Sequence, residues 1–155
     1  MLALHGIGKT FTGRHGRVPV LSGVTLAVPA GSCLAVCGAS GCGKSTLLAI
    51  AGGLLRPDAG EATLAGTAVW RLGGAQRAAL RARRIGFVFQ RFHLLPYLDA
   101  RANVALAAAD AAALARVDPL LDRLGLLPRA HHRPAELSTG EQQRCAVARA
   151  LVNAP

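Results

Sequence analysis

One stretch of eight residues, Gly38-Ala39-Ser40-Gly41-Cys42-Gly43-Lys44-Ser45, constrains the fold of this chain more than any other feature. An apolar run, Cys33 to Cys37, precedes the stretch, and a helical pattern begins at Lys44. Glycines at 38, 41 and 43 permit backbone conformations that are closed to residues with a Cβ, so that successive N–H groups can turn towards one anion. The dipole of the following helix would add to this attraction. The pattern therefore predicts a strand, a loop and a helix that together bind phosphate groups.

The polar residues of the stretch indicate which phosphate compound it binds. The spacing GxxxxGK[ST] is that of the P-loop, which holds the phosphates of a nucleoside triphosphate. Lys44 is expected to reach the β- and γ-phosphates, and the Ser45 hydroxyl is expected to bind Mg²⁺. Thr46 would continue the first helical turn beside the phosphates. The predicted nucleotide-binding residues of the P-loop are Gly38, Ala39, Ser40, Gly41, Cys42, Gly43, Lys44, Ser45 and Thr46.

Four cysteines, Cys33, Cys37, Cys42 and Cys145, do not form paired CxxC units, so we predict neither a zinc site nor a disulfide framework. Cys42 lies in the P-loop beside Lys44 and at a helix N-terminus, an environment that makes a thiol more reactive. The alternative is that Cys42 only fills a free position of the loop. The other three cysteines are interpreted as core residues.

Composition and charge narrow the class of protein. The chain has 155 residues, 52% of them hydrophobic, which is too apolar for a disordered chain and fits one compact domain or part of a larger one. We find no apolar run long enough to span a membrane and no secretory signal, which predicts a cytoplasmic protein. The net charge of +10 comes from scattered arginines without interleaved aromatics, so nucleic acid is not the expected partner. Because no acidic residue precedes Asp58, the first third can accept an anionic ligand.

Hydrophobic periodicity predicts strands that alternate with helices early in the chain and helices alone late in the chain. Helices are expected from Lys44, from Gln76 to Arg84, from Arg101 through the Ala-rich stretch with Asp99 as its cap, and from Asp118 to Leu124. A capping box of Ser138 and Glu141 indicates one more helix. The predicted strands are near Leu2 to Leu4, at Val18 to Val28, at Cys33 to Cys37, at Glu61 to Val69, and, as a buried strand, at Ile85 to Phe89.

A second motif indicates which kind of P-loop protein this is. The sequence Leu137-Ser138-Thr139-Gly140-Glu141-Gln142-Gln143-Arg144 resembles the signature of ATP-binding cassette (ABC) proteins, LSGGQ followed by polar residues and Arg. Gln90, at the end of IGFVFQ, resembles the Q-loop of that family. Phe11 stands where the family has an aromatic residue that stacks on adenine, although Phe11 can also be read as a core aromatic. The order aromatic, P-loop, Gln, signature matches the family along the whole chain.

The resemblance implies an α/β fold of the P-loop NTPase class, in the form found in ABC ATPases. It implies an N-terminal antiparallel β subdomain with the P-loop core in residues 1–90, a helical subdomain in 91–137 and the signature helix in 138–155. A parallel core sheet is expected. The Walker B Asp, the catalytic Glu and the switch His of the family would follow Pro155, so we expect a partial ABC domain in which the C-terminal part of the core is missing.

Roles for individual residues also follow from the resemblance. Lys44 and Gln90 would be catalytic, and Ser45 with Gln90 would bind Mg²⁺. The signature residues would contact ATP held by a second ATP-binding subunit in a head-to-tail dimer; they are Ser138, Thr139, Gly140 and Glu141. Thr139 stands where the family usually has Gly, and Glu141 replaces the first Gln.

The segments IGFVFQRFHLLPYLDARANVAL and HRPAELSTGEQQR are similar to the lipoprotein-releasing and macrolide-export branches of the family, with Ala102 in place of a usual Glu. This resemblance implies the ATP-binding subunit of a transporter, an ATPase bound to the inner face of the cell membrane through a membrane-spanning subunit. A truncated, non-hydrolysing nucleotide-binding remnant is the main alternative, and a soluble ABC protein of DNA maintenance is a third. The apolar residues Phe92, Leu94, Leu95 and Tyr97 would either dock on the membrane subunit or pack internally.

Overall fold

The computed structural model describes residues 1–13 and 16–155, which form two compact units, Met1–Arg77 and Ala78–Pro155. The division of the chain into residues 1–90, 91–137 and 138–155 stays a prediction. The elements of the first unit are the strands β1 (Leu2–Gly13) and β2 (Gly16–Val28), the helix α1 (Lys44–Ala51), the strands β3 (Ala59–Leu64) and β4 (Thr67–Ala68), a 3-10 turn at Val69–Arg71 and the start of the helix α2 (Gly74–Arg84).

The sheet of the first unit is antiparallel, with the strand order β2-β1-β3-β4. Leu2 pairs with Val28 on one side and with Leu64 on the other. Gly60 allows β3 to approach β1 closely, because its φ is 86° and a Cβ there would collide with the carbonyl oxygens of His5 and Gly6. The buried core between this sheet and α1 consists of Leu4, Ile7, Leu21, Leu47, Ile50 and Ala62.

The strand predicted at Cys33 to Cys37 is wrong, since this segment joins no sheet formed by the described residues. Leu34 is half exposed, and only Val36 of the five residues is partly buried. A β-strand is stable only when a neighbouring strand accepts its backbone hydrogen bonds. Apolar composition alone therefore does not predict a strand, because the segment also needs a neighbouring strand to pair with.

The buried strand predicted at Ile85 to Phe89 is also wrong, for the same reason. Val88 and Phe89 are exposed to solvent, and no parallel pair of strands forms among residues 1–13 and 16–155. The single strand predicted over Glu61 to Val69 is a short hairpin instead. Ala65 and Gly66 turn the chain with φ angles of 48° and 79°, so that Leu64 pairs with Thr67.

The second unit is helical, as the sequence predicts, and its longest helix begins at the signature motif. Asp99 caps the helix α3 by accepting a hydrogen bond from the Ala102 N–H at 2.7 Å. Asp110 caps α4 in the same way through Ala113, so the predicted continuous Ala-rich helix is in fact two short helices. The elements of the second unit after α2 are α3 (Ala100–Ala105), α4 (Ala111–Leu114), α5 (Val117–Arg123), 3-10 turns at Leu127–Arg129 and Pro134–Glu136, and α6 (Thr139–Leu151).

The core of the second unit is built around α6. Cys145 is fully buried there, and burial raises the pKa of its thiol to about 11. The side chains that pack around α6 include Val104, Val117, Leu121, Leu126, Leu137 and Val152.

Among the described residues, no helix has both the length and the apolar character needed to cross a membrane.

Candidate functional site

The P-loop takes the backbone conformation that its glycines predict. The φ angles of Gly38, Gly41 and Gly43 are 153°, 80° and 94°, all in the positive region that L-residues rarely adopt. Space is restricted as well, because a Cβ on Gly43 would lie 3.0 Å from side-chain atoms of Val20 and Leu21. The backbone angles therefore favour glycine at all three positions, and at Gly43 the packing requires it as well.

Lys44 folds its ammonium group back over the P-loop. Its Nζ atom donates hydrogen bonds to the carbonyl oxygens of Gly38 at 2.8 Å and Ala39 at 2.6 Å, and it lies 3.7 Å from Sγ of Cys42. The Lys44 ammonium is therefore bound by carbonyl groups of its own loop. A phosphate group that entered the loop would offer the ammonium a charged partner in place of these neutral carbonyls.

The N-terminus of α1 leaves its first-turn amides available to an anion. Gly43 is the N-cap and supplies no capping side chain, and the first turn contains no acidic residue. The Ser45 side chain is exposed at this same end of the helix. The site therefore offers uncapped N–H groups and one lysine to phosphate oxygens, and one hydroxyl oxygen to a metal ion. These groups fit a triphosphate with its Mg²⁺ ion.

Phe11 is an exposed aromatic of β1 and not a core residue. The residue is 42% exposed, and Nζ of Lys9 lies 5.6 Å from the ring centroid. Asp58 accepts hydrogen bonds from Nζ of Lys9 and from the Thr10 N–H, both at 2.8 Å. These two hydrogen bonds, the Lys9 bond above all, hold the pKa of Asp58 below its usual value. The stacking of adenine on Phe11 stays a prediction, and the core alternative is excluded.

The signature residues of the second unit form the predicted capping box. The Ser138 hydroxyl accepts a hydrogen bond from the Glu141 N–H at 3.3 Å, and Oε2 of Glu141 accepts from the Ser138 N–H at 2.7 Å. The backbone N–H and the hydroxyl of Ser138 lower the pKa of Glu141, and Arg129 adds to this effect from 3.5 Å. The carboxylate of Glu141 is therefore fixed at the start of α6, while Thr139 and Gly140 remain exposed.

Gln90 lies in an exposed loop of the second unit, after the segment that was predicted to be a strand. Aromatic rings flank it: Phe87 stacks on Phe89 with centroids 5.6 Å apart, and Phe89 meets His93 edge-on at 5.1 Å. The guanidinium of Arg149 donates hydrogen bonds to two backbone carbonyls just after Gln90. Sequence reasoning missed Arg149, because nothing in the amphipathic pattern of its helix separates it from other arginines.

The predicted site residues are divided between the two units. The P-loop, from Gly38 to Thr46, lies in the first unit, together with Phe11. Gln90 and the signature, Ser138 to Glu141, lie in the second unit. Of the four apolar residues considered for docking, Tyr97 is strongly exposed, whereas Leu94 packs against the core of its own unit. Internal packing is therefore observed for Leu94, whereas docking through Tyr97 stays a prediction.

This chain is similar to known proteins along almost its whole length. A sequence profile described as "ABC transporter" matches residues 21–155. The lipoprotein-releasing system ATP-binding protein LolD of Maricaulis maris is 47% identical over 160 residues, covering 100% of this chain and 70% of LolD. The macrolide export ATP-binding/permease protein MacB of Chromobacterium violaceum is 46% identical over 157 residues, covering 98% of this chain but only 24% of MacB.

Solved structures give the same result for the fold. The dimeric, post-hydrolysis structure of the ATP-binding cassette MJ0796 bound to ADP and Pi superimposes with a TM-score of 0.91 at 35% identity. That comparison covers 100% of this chain and 71% of the MJ0796 chain. A second dimeric structure, of MJ0796 as a bacterial ABC transporter cassette, superimposes with a TM-score of 0.90. The predicted fold class is confirmed, although the segments expected to form its parallel sheet are not paired as strands here.

Proposed function

We propose a role for this chain from the fact that it belongs to the ABC transporter family. It supplies the ATP-binding loop and the signature motif of a transporter ATPase. Its similarity to LolD and MacB favours the export or lipoprotein-release branch over a soluble protein of DNA maintenance. The proposal concerns the part that these residues contribute, since the chain spans 70% of LolD and 24% of MacB.

The single observation that carries the proposal is the arrangement of Lys44 within the P-loop. Its ammonium is held over the loop by two neutral carbonyls, and the first-turn amides of α1 are uncapped. Entry of ATP would give both donor groups an anionic acceptor. Phosphate binding would then draw on charge-assisted hydrogen bonds and on the helix dipole together.

Mg²⁺ would be held by the Ser45 hydroxyl and by Gln90, according to the family resemblance. A bound Mg²⁺ ion would neutralise charge on the phosphates and orient them. Hydroxyl and amide oxygens are suitable ligands for this hard cation. Phe11 would stack on the adenine base, and its exposed ring on β1 supports this role. Lys44, which would contact the phosphates, and Gln90, which would act through Mg²⁺, are therefore the residues that we propose as catalytic.

The partners that we propose are a second ATP-binding subunit and a membrane-spanning subunit. Ser138, Thr139 and Gly140 are exposed at the N-terminus of the thirteen-residue helix α6, where a second nucleotide could be contacted. The MJ0796 structures are dimeric, which supports a second ATP-binding subunit, and the head-to-tail arrangement follows from the family resemblance. Exposed Tyr97 is available to a membrane subunit. This assembly would hold the chain at the cytoplasmic face of the membrane.

The first prediction tests the P-loop by replacing its lysine. Lys44→Ala should weaken MgATP binding by about 100-fold or more, because the ammonium that pairs with the β- and γ-phosphates is lost. Affinity is to be measured by isothermal titration calorimetry on the 155-residue chain. Arg71→Ala is the matched control, since it also removes one positive charge from the same unit and breaks only an exposed pair with Glu61.

Equal MgATP affinity in Lys44→Ala and the unaltered chain would contradict the proposed function. Equal losses in Lys44→Ala and Arg71→Ala would contradict it too, because they would point to the overall positive charge and not to the P-loop. Circular dichroism of each variant shows whether the fold is intact before affinities are compared.

A further inference from the structure

The segment that carries Gln90 is attached to α6 at two points. Arg149 binds the backbone just after Gln90, and Gly86 packs against Ala150 just before it. Arg149 and Ala150 are neighbours in the last turns of α6, so both attachments are made to one short stretch of one helix. Gln90 lies between them.

The Arg149 attachment uses the fork of the guanidinium group. One nitrogen, Nη1, donates to the His93 carbonyl oxygen at 2.6 Å, and the other, Nη2, donates to the Phe92 carbonyl oxygen. Phe92 and His93 both have left-handed backbone angles, with φ of 48° and 51°. This conformation is unfavourable for residues with a Cβ and persists only when surrounding contacts hold it. Arg149 provides such contacts, and it acts on two successive carbonyls at once.

The Gly86 attachment is a close approach of two backbones. A Cβ at position 86 would collide with the carbonyl oxygen of Ala150 and would lie 3.1 Å from the Ala150 Cβ. The stacked rings of Phe87 and Phe89 and the edge contact of Phe89 with His93 then connect the two attachments across Gln90. The loop therefore has defined contacts before Gln90, beside it and after it.

We propose that Arg149 is a positioning residue that fixes the Gln90 loop on α6, the helix that begins at the signature. Arg149 makes no direct contact with nucleotide in this proposal. It holds the Phe92 and His93 carbonyls so that the Gln90 side chain is presented in one orientation to a bound Mg²⁺ ion. The presentation of Gln90 to Mg²⁺ rests on the proposed function, whereas the attachment of the Gln90 loop to α6 does not.

The first experiment measures the attachment without nucleotide. Hydrogen exchange should accelerate about tenfold or more at the Phe92 and His93 amides in Arg149→Ala, because both amides belong to the turn that Arg149 holds. Arg123→Ala is the matched control: it removes an exposed arginine from α5 in the same unit. Arg149→Lys should give an intermediate rate, since an ammonium keeps the charge but lacks the planar fork.

The second experiment measures positioning through Mg²⁺. The ratio of ATP affinity with Mg²⁺ to affinity with EDTA should fall roughly tenfold in Arg149→Ala, with the EDTA value unchanged. Gln90→Ala should lower the same ratio, and adding Arg149→Ala to Gln90→Ala should change it no further. Independent residues would instead have additive effects.

Unchanged exchange at Phe92 and His93 in Arg149→Ala overturns the attachment, and additive effects of Arg149→Ala and Gln90→Ala overturn the positioning role. Should Arg149→Ala unfold, the Arg149→Lys variant carries both tests in its place. If the unaltered chain binds no ATP but its exchange responds as expected, the proposed function fails while the attachment of the Gln90 loop stands.

Discussion

Lys44 and Cys42 are close neighbours in the P-loop, with Nζ of Lys44 3.7 Å from Sγ of Cys42. Cys42 is exposed, as are Cys33 and Cys37, whereas Cys145 is buried in the second unit. The interpretation of the other cysteines as core residues is therefore right for Cys145 and wrong for Cys33 and Cys37. These last two lie in the segment that pairs with no described strand, so their exposure follows from the same cause.

Alkylation of Cys42 should respond to nucleotide. MgATP at about nine times its dissociation constant should slow the modification roughly tenfold, because only the unbound fraction of the loop reacts. Cys33 is exposed but precedes the loop, so its rate should change little and serve as internal control. Cys145, with its pKa raised to about 11 by burial, should be modified only when the chain unfolds. Mass spectrometry of alkylated peptides gives all three rates, and equal protection of Cys33 and Cys42 would show that Cys42 only fills space.

The sequence predicts the P-loop and the signature well, because local backbone chemistry determines both. Glycines with positive φ and a Ser–Glu capping box leave a pattern within a few residues of one another. Arg149 leaves no such pattern. Its carbonyl partner in His93 is 56 residues away, and only the folded chain brings the two together.

Elements with internal hydrogen bonds are predicted better than elements that depend on a neighbour. Helices satisfy their own backbone groups, and the caps Asp99 and Ser138 begin α3 and α6 as expected. The segments at 33–37 and 85–89 have apolar strand composition, yet they stay unpaired in the part of the chain that the structure describes. The strands predicted near Leu2 to Leu4 and at Val18 to Val28 do form, because they pair with each other, whereas composition does not reveal whether a segment has such a partner.

Gly86 lies where the Gln90 segment meets the last turn of α6, so its contacts can be tested by substitution. Gly86→Ala should destabilise the chain by about 1–3 kcal/mol, because the added methyl group meets backbone atoms of Ala150 that cannot easily move. Gly140→Ala is the control within the same unit. Its Cβ would lie 3.6 Å from the flexible end of Arg144, and alanine favours the helical backbone, so stability should be kept or gained. Urea unfolding measures both, and equal midpoints would contradict the close approach at Gly86.

At the scale of the whole molecule, the distribution of charge favours the binding of an anionic ligand but leaves few carboxylates that could assist hydrolysis. The chain has 18 basic and only 8 acidic residues, and no acidic residue precedes Asp58. Most of the carboxylates are already engaged in caps or ion pairs. Asp99, Asp110, Glu136 and Glu141 accept from backbone N–H groups, and Asp58, Glu61 and Asp118 pair with Lys9, Arg71 and Arg101.

We therefore predict that these 155 residues bind MgATP but release phosphate at close to the background rate. In-line attack on the γ-phosphate needs a group that orients or deprotonates water, and the engaged carboxylates would have to leave a cap or an ion pair to do so. Single-turnover phosphate release from the purified chain measures this rate, with Lys44→Ala reporting contaminating ATPases. Robust release that disappears in Lys44→Ala would contradict the prediction, because it would show that some group of this chain orients or deprotonates the attacking water. Release that appears only after a homologous C-terminal segment and the membrane subunit are added would support the assignment of this chain to binding, with hydrolysis completed by the larger assembly.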